Sequence, residues 1–380
     1  MRIKSTNLAN KNKINYLIAS LVILLSILGI FVILSASAYL TIKYNTNQAY
    51  YAVRQGIFVL IGIVLMFLVS KIDYHSYKKH AGKLYIISIV LLLMALFSPM
   101  RVLYNGYARR GLKLGLTFMP SDIYKIASIL FISRFLVSNQ KNEKSWIYGF
   151  AQTAIWIIVP TGLILIQPDL STSLAIIASL GMIYLLAGFQ KKFWPVIVIG
   201  LGLAFAFFYF SSNDYQFDRF RAWLNPEAYA QSISWHVLHS LYAVSRGGLF
   251  GVGYGQSVLK FGYLSNEVYN DMIFAVIAEE FGLVGSMIFI TLIFSLTMLV
   301  LREALITQDP FARNVLVGIG SIYFFQSAIN IAVSLNMIPN TGITLPFISY
   351  GGTSLLVFFA MFGIVLNISR HNQFENKKKS

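Results

Sequence analysis

Long apolar runs, each broken by a polar or basic stretch, recur along nearly the whole chain. About ten are long enough to cross a bilayer at roughly 20 residues per helical crossing. They lie near 15–38, 54–72, 83–100, 121–138, 147–166, 170–189, 194–211, 271–301, 314–335 and 347–368. Barrel strands would be about half that length, so the runs read as helices. The pattern predicts an all-α polytopic membrane protein with one transmembrane domain over 1–380. It places a large extracytoplasmic loop at 212–270, between the seventh and eighth helices, and a basic tail at 371–380.

Composition supports the membrane reading. Of 380 residues, 57% are hydrophobic and 12% charged, with mean hydropathy +0.68, whereas a soluble domain carries about 25% charged residues. There is no cysteine, which excludes disulfides, thiolate metal sites and a cysteine nucleophile. The basic N-terminus runs into the first apolar segment without a small-residue cleavage site, the pattern of a retained helix. The net charge of +16 raises the question of nucleic acid, but its distribution answers against it. Lys4, Lys13, Lys71, Lys78, Lys79, Arg134, Lys191, Arg302, Arg313 and Lys377 all fall on one side when the spans are threaded. Positive charge marks cytoplasmic loops, so both termini are expected inside. Arg101, Arg109, Arg110 and Lys113 break this bias in one outer loop; Arg219, Arg221, Arg246 and Lys260 break it in another. An anionic ligand outside would explain them, and so would salt bridges to Asp214, Asp218, Glu227 or Glu267.

The densest chemistry lies at 246–282, RGGLFGVGYGQSVLKFGYLSNEVYNDMIFAVIAEEFG. A glycine-rich loop leads to Asp271 at the mouth of an apolar segment that contains Glu279 and Glu280. Carboxylates inside a membrane segment are functional-site hypotheses by default, and glycines let backbone N–H groups approach an anion. Asp271, at a water–apolar boundary, suits a general base; a helix-terminal acid favoured by the macrodipole is the alternative. Glu279 and Glu280 sit too deep to pair with it, which makes them supporting residues. Asp169 in QPDLST reads as a helix cap, and Pro120-Ser121-Asp122 as a helix start. Lys125, one turn later, is expected to join the basic cluster. Gln326 and Asn330, at i and i+4, share a face suited to interhelical hydrogen bonds. Before the last span, NTGITLPFISYGGTS implies irregular backbone lining a cavity. Within the long loop, PEAYAQSISWHVLHSLYAVS has the makings of an amphipathic interfacial helix. A cationic cleft with one base, open to the outer leaflet, suits an anionic lipid-linked substrate.

Four motifs resemble those of the SEDS family (shape, elongation, division and sporulation) of bacterial cell-wall proteins. NGYARRGLKLG with MPSDIYK is similar to the family's NGxxRWxxxG and QPSExxK, matching Asn105, Gly106, Arg110, Gly115, Pro120, Ser121 and Lys125. QPDLST resembles QPDLGT at Gln167 to Thr172, and YGQSVLKFGYLSNEVYNDMIFAVIAEEFG resembles GLGNSxxKxxYLPExHTDFIFAxxxEExG. PNTGITLPFISYGGTS resembles PTKGxxLPFISYGGSS, a match that includes Ser349. The loop after GYGQS is nearer the division members than the elongation members. Gly111 stands where the family has tryptophan, Thr341 where it has lysine, and His236 and His239 where the division members have glutamines.

The resemblance implies a peptidoglycan glycosyltransferase of the bacterial cytoplasmic (inner) membrane that polymerises lipid II during septal wall synthesis. It also implies a class B penicillin-binding transpeptidase and other divisome proteins as partners. In that frame Asp271 is the catalytic base, and Arg109, Arg110, Lys113, Lys125, Arg246, Lys260 and Ser349 are substrate contacts. Asp169, Glu279, Glu280, Gln326 and Asn330 are supporting residues. A divalent cation (Mg or Mn) could assist, but no cluster of ligands specifies one. A lipid II flippase, a non-catalytic transpeptidase scaffold and an elongation role remain as alternatives.

Overall fold

The computed structural model describes residues 3–98, 101–104, 108–114, 116–140, 146–187, 220–231, 234–264, 268–340 and 342–378. The run at 194–211, expected to be the seventh span, lies outside them. Among the described residues eleven α-helices are seen: α1 (Ile3–Ala36), α2 (Ala38–Lys43), α3 (Tyr50–Lys71), α4 (Tyr74–Phe97), α5 (Pro120–Ser138), α6 (Gln152–Ile166), α7 (Leu170–Leu186), α8 (Trp235–Gly247), α9 (Ile273–Ile306), α10 (Pro310–Ser334) and α11 (Gly352–Lys378). Among the described residues, seven helical stretches are long and apolar enough to cross a membrane: Asn15–Ala36, Tyr50–Lys71, Tyr74–Phe97, Gly149–Ile166, Ile273–Ile306, Pro310–Ser334 and Gly352–Asn372. α5 carries Asp122, Lys125 and Arg134, and α7 has only 17 residues.

The caps follow the sequence. Pro120 opens α5, where its missing N–H costs nothing, and Asp169 caps α7 by accepting from the Thr172 N–H at 3.3 Å. Asp309 caps α10 by accepting from the amides of Phe311 and Ala312.

Two features depart from the sequence reading, and one of them from its all-α class. The loop after α4 folds into an antiparallel three-stranded sheet, β1 (Arg101–Tyr104), β2 (Ala108–Leu114) and β3 (Leu116–Phe118), with a register shift between Val102 and Leu103. Asn105-Gly106 between β1 and β2 is a hairpin signal that the hydropathy reading passed over. The run at 371–380 is also helical as far as Lys378, a continuation of α11 rather than a separate tail.

α3 and α11 pack closely because Gly62 faces the Phe359 ring and Gly363 faces the Met66 carbonyl, where side chains would collide. Small residues serve this purpose where lipid supplies no hydrophobic drive between helices. Phe347 seals the core ahead of α11, its ring 5.3 Å from those of Phe359 and Phe362 and 5.9 Å from those of Tyr323 and Phe358. α8 forms within the long loop and turns Val237, Leu238 and Ala243 inward against α9 rather than lying alone at the interface.

Candidate active site

Asp271 does not belong to α9, as its place in the eighth apolar run implied. It occupies the turn before Ile273 and is partly exposed. Asn330, fully buried on α10, donates from Nδ2 to the Asp271 carbonyl at 3.0 Å and to the Ile343 carbonyl at 2.7 Å. One turn earlier, Gln326 donates to the Thr344 carbonyl at 3.0 Å. The shared face read from i, i+4 spacing thus grips both the turn holding Asp271 and the irregular segment before α11.

Gly342 marks where the carboxylate points. A Cβ added there would stand 3.2 Å from Asp271 Oδ2 and 3.6 Å from Arg110 Nη1. β2 therefore brings the Arg110 guanidinium, like the acid, to within 4 Å of one point over Gly342. Arg110 is braced from behind: Nη2 donates to the Pro168 carbonyl and Nη1 lies 3.9 Å from Asp169 Oδ1. Asp169 has two roles, helix cap and anchor for Arg110. Lys113, further along β2, is exposed. The Arg109 side chain lies outside the described residues. Gly111 is buried, so β2 offers no aromatic surface at that position.

Lys125 does not join this basic cluster. It is buried on α5, with Nζ 2.9 Å from both Asp122 Oδ1 and Gln326 Oε1, and Asp122 Oδ2 also accepts from Thr353 Oγ1 at 3.3 Å. The i, i+3 spacing of Asp122 and Lys125 was the available signal for that pair. Ser349 is a hub instead of an open contact. Its Oγ accepts from the Leu345 N–H at 2.7 Å and donates to the Asn270 carbonyl at 2.6 Å, while its carbonyl accepts from Gln55 Nε2 at 3.2 Å.

The glycine-rich loop also does something other than cradle an anion. α9 is broken at Gly282 (φ 67°, ψ −165°), which strips carbonyls before the break and amides after it of their helical partners. The loop supplies replacements. The amides of Val252 and Gly253 donate to the carbonyls of Glu279 and Glu280 at 3.0 and 3.1 Å. The carbonyls of Gly248 and Leu249 accept from the amides of Leu283 and Val284 at 2.9 and 3.0 Å. In lipid each unpaired group would cost several kcal/mol, roughly, so the loop completes the helix. Gly251, at φ 81°, has no room for a Cβ against the Glu280 carbonyl. Gly251→Val is expected to undo this insertion, lowering the thermal midpoint and opening the loop at 248–260 to protease.

Beneath the loop, Glu279 and Glu280 are buried and matched. Glu279 accepts from Ser257 Oγ at 2.5 Å and the Val258 N–H at 3.0 Å, with Arg246 Nε at 3.3 Å. Glu280 accepts from Ser35 Oγ at 2.5 Å, Lys260 Nζ at 2.9 Å and the Ser257 N–H at 3.4 Å. Lys260 is itself buried. Arg246 and Lys260, expected to contact substrate, serve these two acids. Ser35 and Ser257 went unnoticed in the sequence because nothing local distinguishes them from other serines.

On α8, His236 is largely enclosed beside Tyr263 and His239, and burial holds its pKa below the usual 6.5. The unfolded chain therefore binds a proton first as pH falls. Stability from this group is whole above about pH 6.5 and is lost as pH drops through the lower folded value. Protection factors across 235–247, corrected for the intrinsic pH dependence of amide exchange, are expected to fall between pH 7.5 and 5.5, and His236→Gln to flatten that response.

The fold and site define a polytopic membrane protein in which a braced arginine and an acid converge on one glycine and two further acids are buried with their own partners. A family model described as cell cycle protein, covering FtsW, RodA and SpoVE, matches residues 15–374. Stage V sporulation protein E of Bacillus subtilis (strain 168) is 34% identical over 367 residues, 96% of this chain and 99% of that one. Probable peptidoglycan glycosyltransferase FtsW of Trichlorobacter lovleyi is 33% identical over 353 residues, 92% of this chain and 91% of its own. The crystal structure of the Thermus thermophilus rod shape determining protein RodA superposes with TM-score 0.69 at 25% identity, covering 93% of this chain and 96% of that one. A chain from a structure on coordination of polymerization and crosslinking by a peptidoglycan synthase complex gives TM-score 0.78 at 24% identity, covering 95% and 97%. The chain belongs to the FtsW/RodA/SpoVE family of cell cycle proteins, the SEDS family that its motifs resemble.

Proposed function

We propose that this protein is a peptidoglycan glycosyltransferase that polymerises lipid II into glycan strands, with Asp271 as general base. The observation that carries the reading is the approach of Asp271 Oδ2 and Arg110 Nη1 over Gly342; the naming of its FtsW relatives supports the reaction class. Asp271 takes the proton of the acceptor sugar hydroxyl as that oxygen bonds to the anomeric carbon of the donor. The bond from that carbon to the pyrophosphate breaks, and its electron pair leaves with undecaprenyl pyrophosphate. Arg110, Lys113 and Arg109 offset the charge that develops there, the kind of stabilisation that is often the largest catalytic contribution. Among the described residues, no group of three or more His, Asp or Glu side chains gathers to hold a metal. A divalent cation (Mg or Mn) taking part here would be held by one or two carboxylates together with the substrate pyrophosphate.

We read α5, α7 and the run at 194–211 as three further spans, giving ten, with both termini in the cytoplasm and Asp271 outside the inner membrane. The basic residues expected inside support that orientation. A class B transpeptidase and other divisome proteins are its partners in septal synthesis. The test is glycan-strand formation from lipid II by the purified protein with its cognate transpeptidase. Polymer supports the reading. Transbilayer movement of lipid II without polymer would make the protein a transporter, and neither activity would make it a scaffold.

A further inference from the structure

Three half-buried tyrosines close a triangle on the segment that leads into Asp271. Tyr51 lies in the first turn of α3, Tyr269 two residues before the acid, and Tyr350 two residues before α11. Their ring centroids are 5.0 Å (Tyr51–Tyr269), 5.6 Å (Tyr51–Tyr350) and 5.2 Å (Tyr269–Tyr350) apart, with Tyr350 close to perpendicular to the other two. The backbone beneath them is fixed. The Tyr350 N–H donates to the Tyr269 carbonyl at 2.9 Å, Ser349 Oγ to the Asn270 carbonyl, and Gln55 of α3 to the Ser349 carbonyl. Arg54, one turn beyond Tyr51 on α3, is exposed at the rim.

Tyrosine is common at membrane–water boundaries, where it anchors helices singly around the circumference. Here three separate elements bring their tyrosines together, on the segment that carries the base. The Asp271 carboxylate faces Gly342 and Arg110, while Tyr269 of the same segment faces the other two rings. Aromatic faces are electron-rich and attract the weakly positive C–H groups of a pyranose, and phenol hydroxyls can meet its hydroxyls.

We propose that Tyr51, Tyr269 and Tyr350 form a saccharide subsite that seats the acceptor sugar against Asp271, with Arg54 facing the anionic linkage of that substrate. The assignment rests on the glycosyltransferase reading above. Tyr350 and Tyr269 bound the seat, and Tyr51 is the wall that can be changed without touching the segment of the base.

The experiment reads binding apart from turnover. In the Asp271→Asn protein held in complex with its transpeptidase, affinity is measured for lipid II and for undecaprenyl pyrophosphate, which has no sugar. Tyr51→Leu is expected to weaken lipid II binding by up to about tenfold, the scale of one aromatic contact, and to leave undecaprenyl pyrophosphate unchanged. Tyr51→Phe should retain most of the affinity, and Arg54→Gln should weaken both ligands alike. Equal loss of both ligands in Tyr51→Leu, or no loss of either, would overturn the subsite and leave the tyrosines as an interfacial anchor. If Tyr51→Leu does not fold, Tyr51→Trp replaces it, with a selective change in lipid II affinity expected and an unchanged one contrary. Failure of the glycosyltransferase reading would show separately, as absence of polymer from the wild-type complex.

Discussion

Asp271→Asn is expected to lower glycan-strand formation from lipid II by about 10²–10⁴-fold, the range contributed by a positioned general base, without unfolding the protein. Asparagine preserves the size of the side chain, and the bond from Asn330 goes to the backbone carbonyl of residue 271, which the substitution keeps. What is lost is the oxygen that takes the proton. Strands resolved on a gel give the rate, and a thermal midpoint within a few degrees of wild type shows that the fold is intact. A wild-type rate in a folded complex would remove Asp271 from the role. The other acids near the site do not compete for it: Asp169 holds Arg110, and Glu279 and Glu280 are buried among Ser257, Ser35, Arg246 and Lys260.

Lys260→Met is expected to cost about 3–5 kcal/mol of stability, the range for removing one partner of a buried pair. The Lys260 ammonium uses its donors on Glu280 Oε1 at 2.9 Å, Ser35 Oγ at 2.7 Å and the Gly255 carbonyl at 2.8 Å. Without it the Glu280 carboxylate stays buried with no cation against it. The double variant Lys260→Met/Glu280→Gln should recover a large part of the loss, because the group left behind is then neutral. Thermal midpoints of the two single variants and the double variant, taken as a cycle, measure the coupling. Additive losses would show that the pair does not act as a unit. Polymerisation should fall with stability in the single variant, since the clasp holds the helix that follows Asp271.

Several elements could be read directly from the chain. The apolar runs mark α3, α4, α6, α10 and α11 to within a few residues at most ends, because twenty consecutive apolar side chains have few alternatives to a membrane helix. Pro120 and Asp169 mark helix starts through local backbone chemistry. Gln326 and Asn330 share a face through helical periodicity alone, and that face does hold the segment around Asp271. Arg110 was grouped with the acid by outer-loop charge, and the structure brings the two together at Gly342. The three-stranded sheet was missed because a hydropathy reading treats a short polar loop as featureless.

The charges divide differently. Arg110, Lys113, Lys125, Arg246 and Lys260 look alike in the sequence as outer basic residues. The fold sends Lys125 to Asp122, Arg246 to Glu279 and Lys260 to Glu280, and leaves Arg110 beside Asp271 and Lys113 exposed. The break in α9 at Gly282 and the loop that completes it are likewise hidden, since a glycine within an apolar run is compatible with a continuous helix. By itself the sequence determined the membrane class, most helix positions and the acid just ahead of α9, all of which follow from local hydropathy and backbone preference. Tertiary structure alone decided which cations are neutralised and which face the base. In a low-dielectric interior, a buried charge depends on partners brought in from distant parts of the chain, as Ser35 is brought to Glu280.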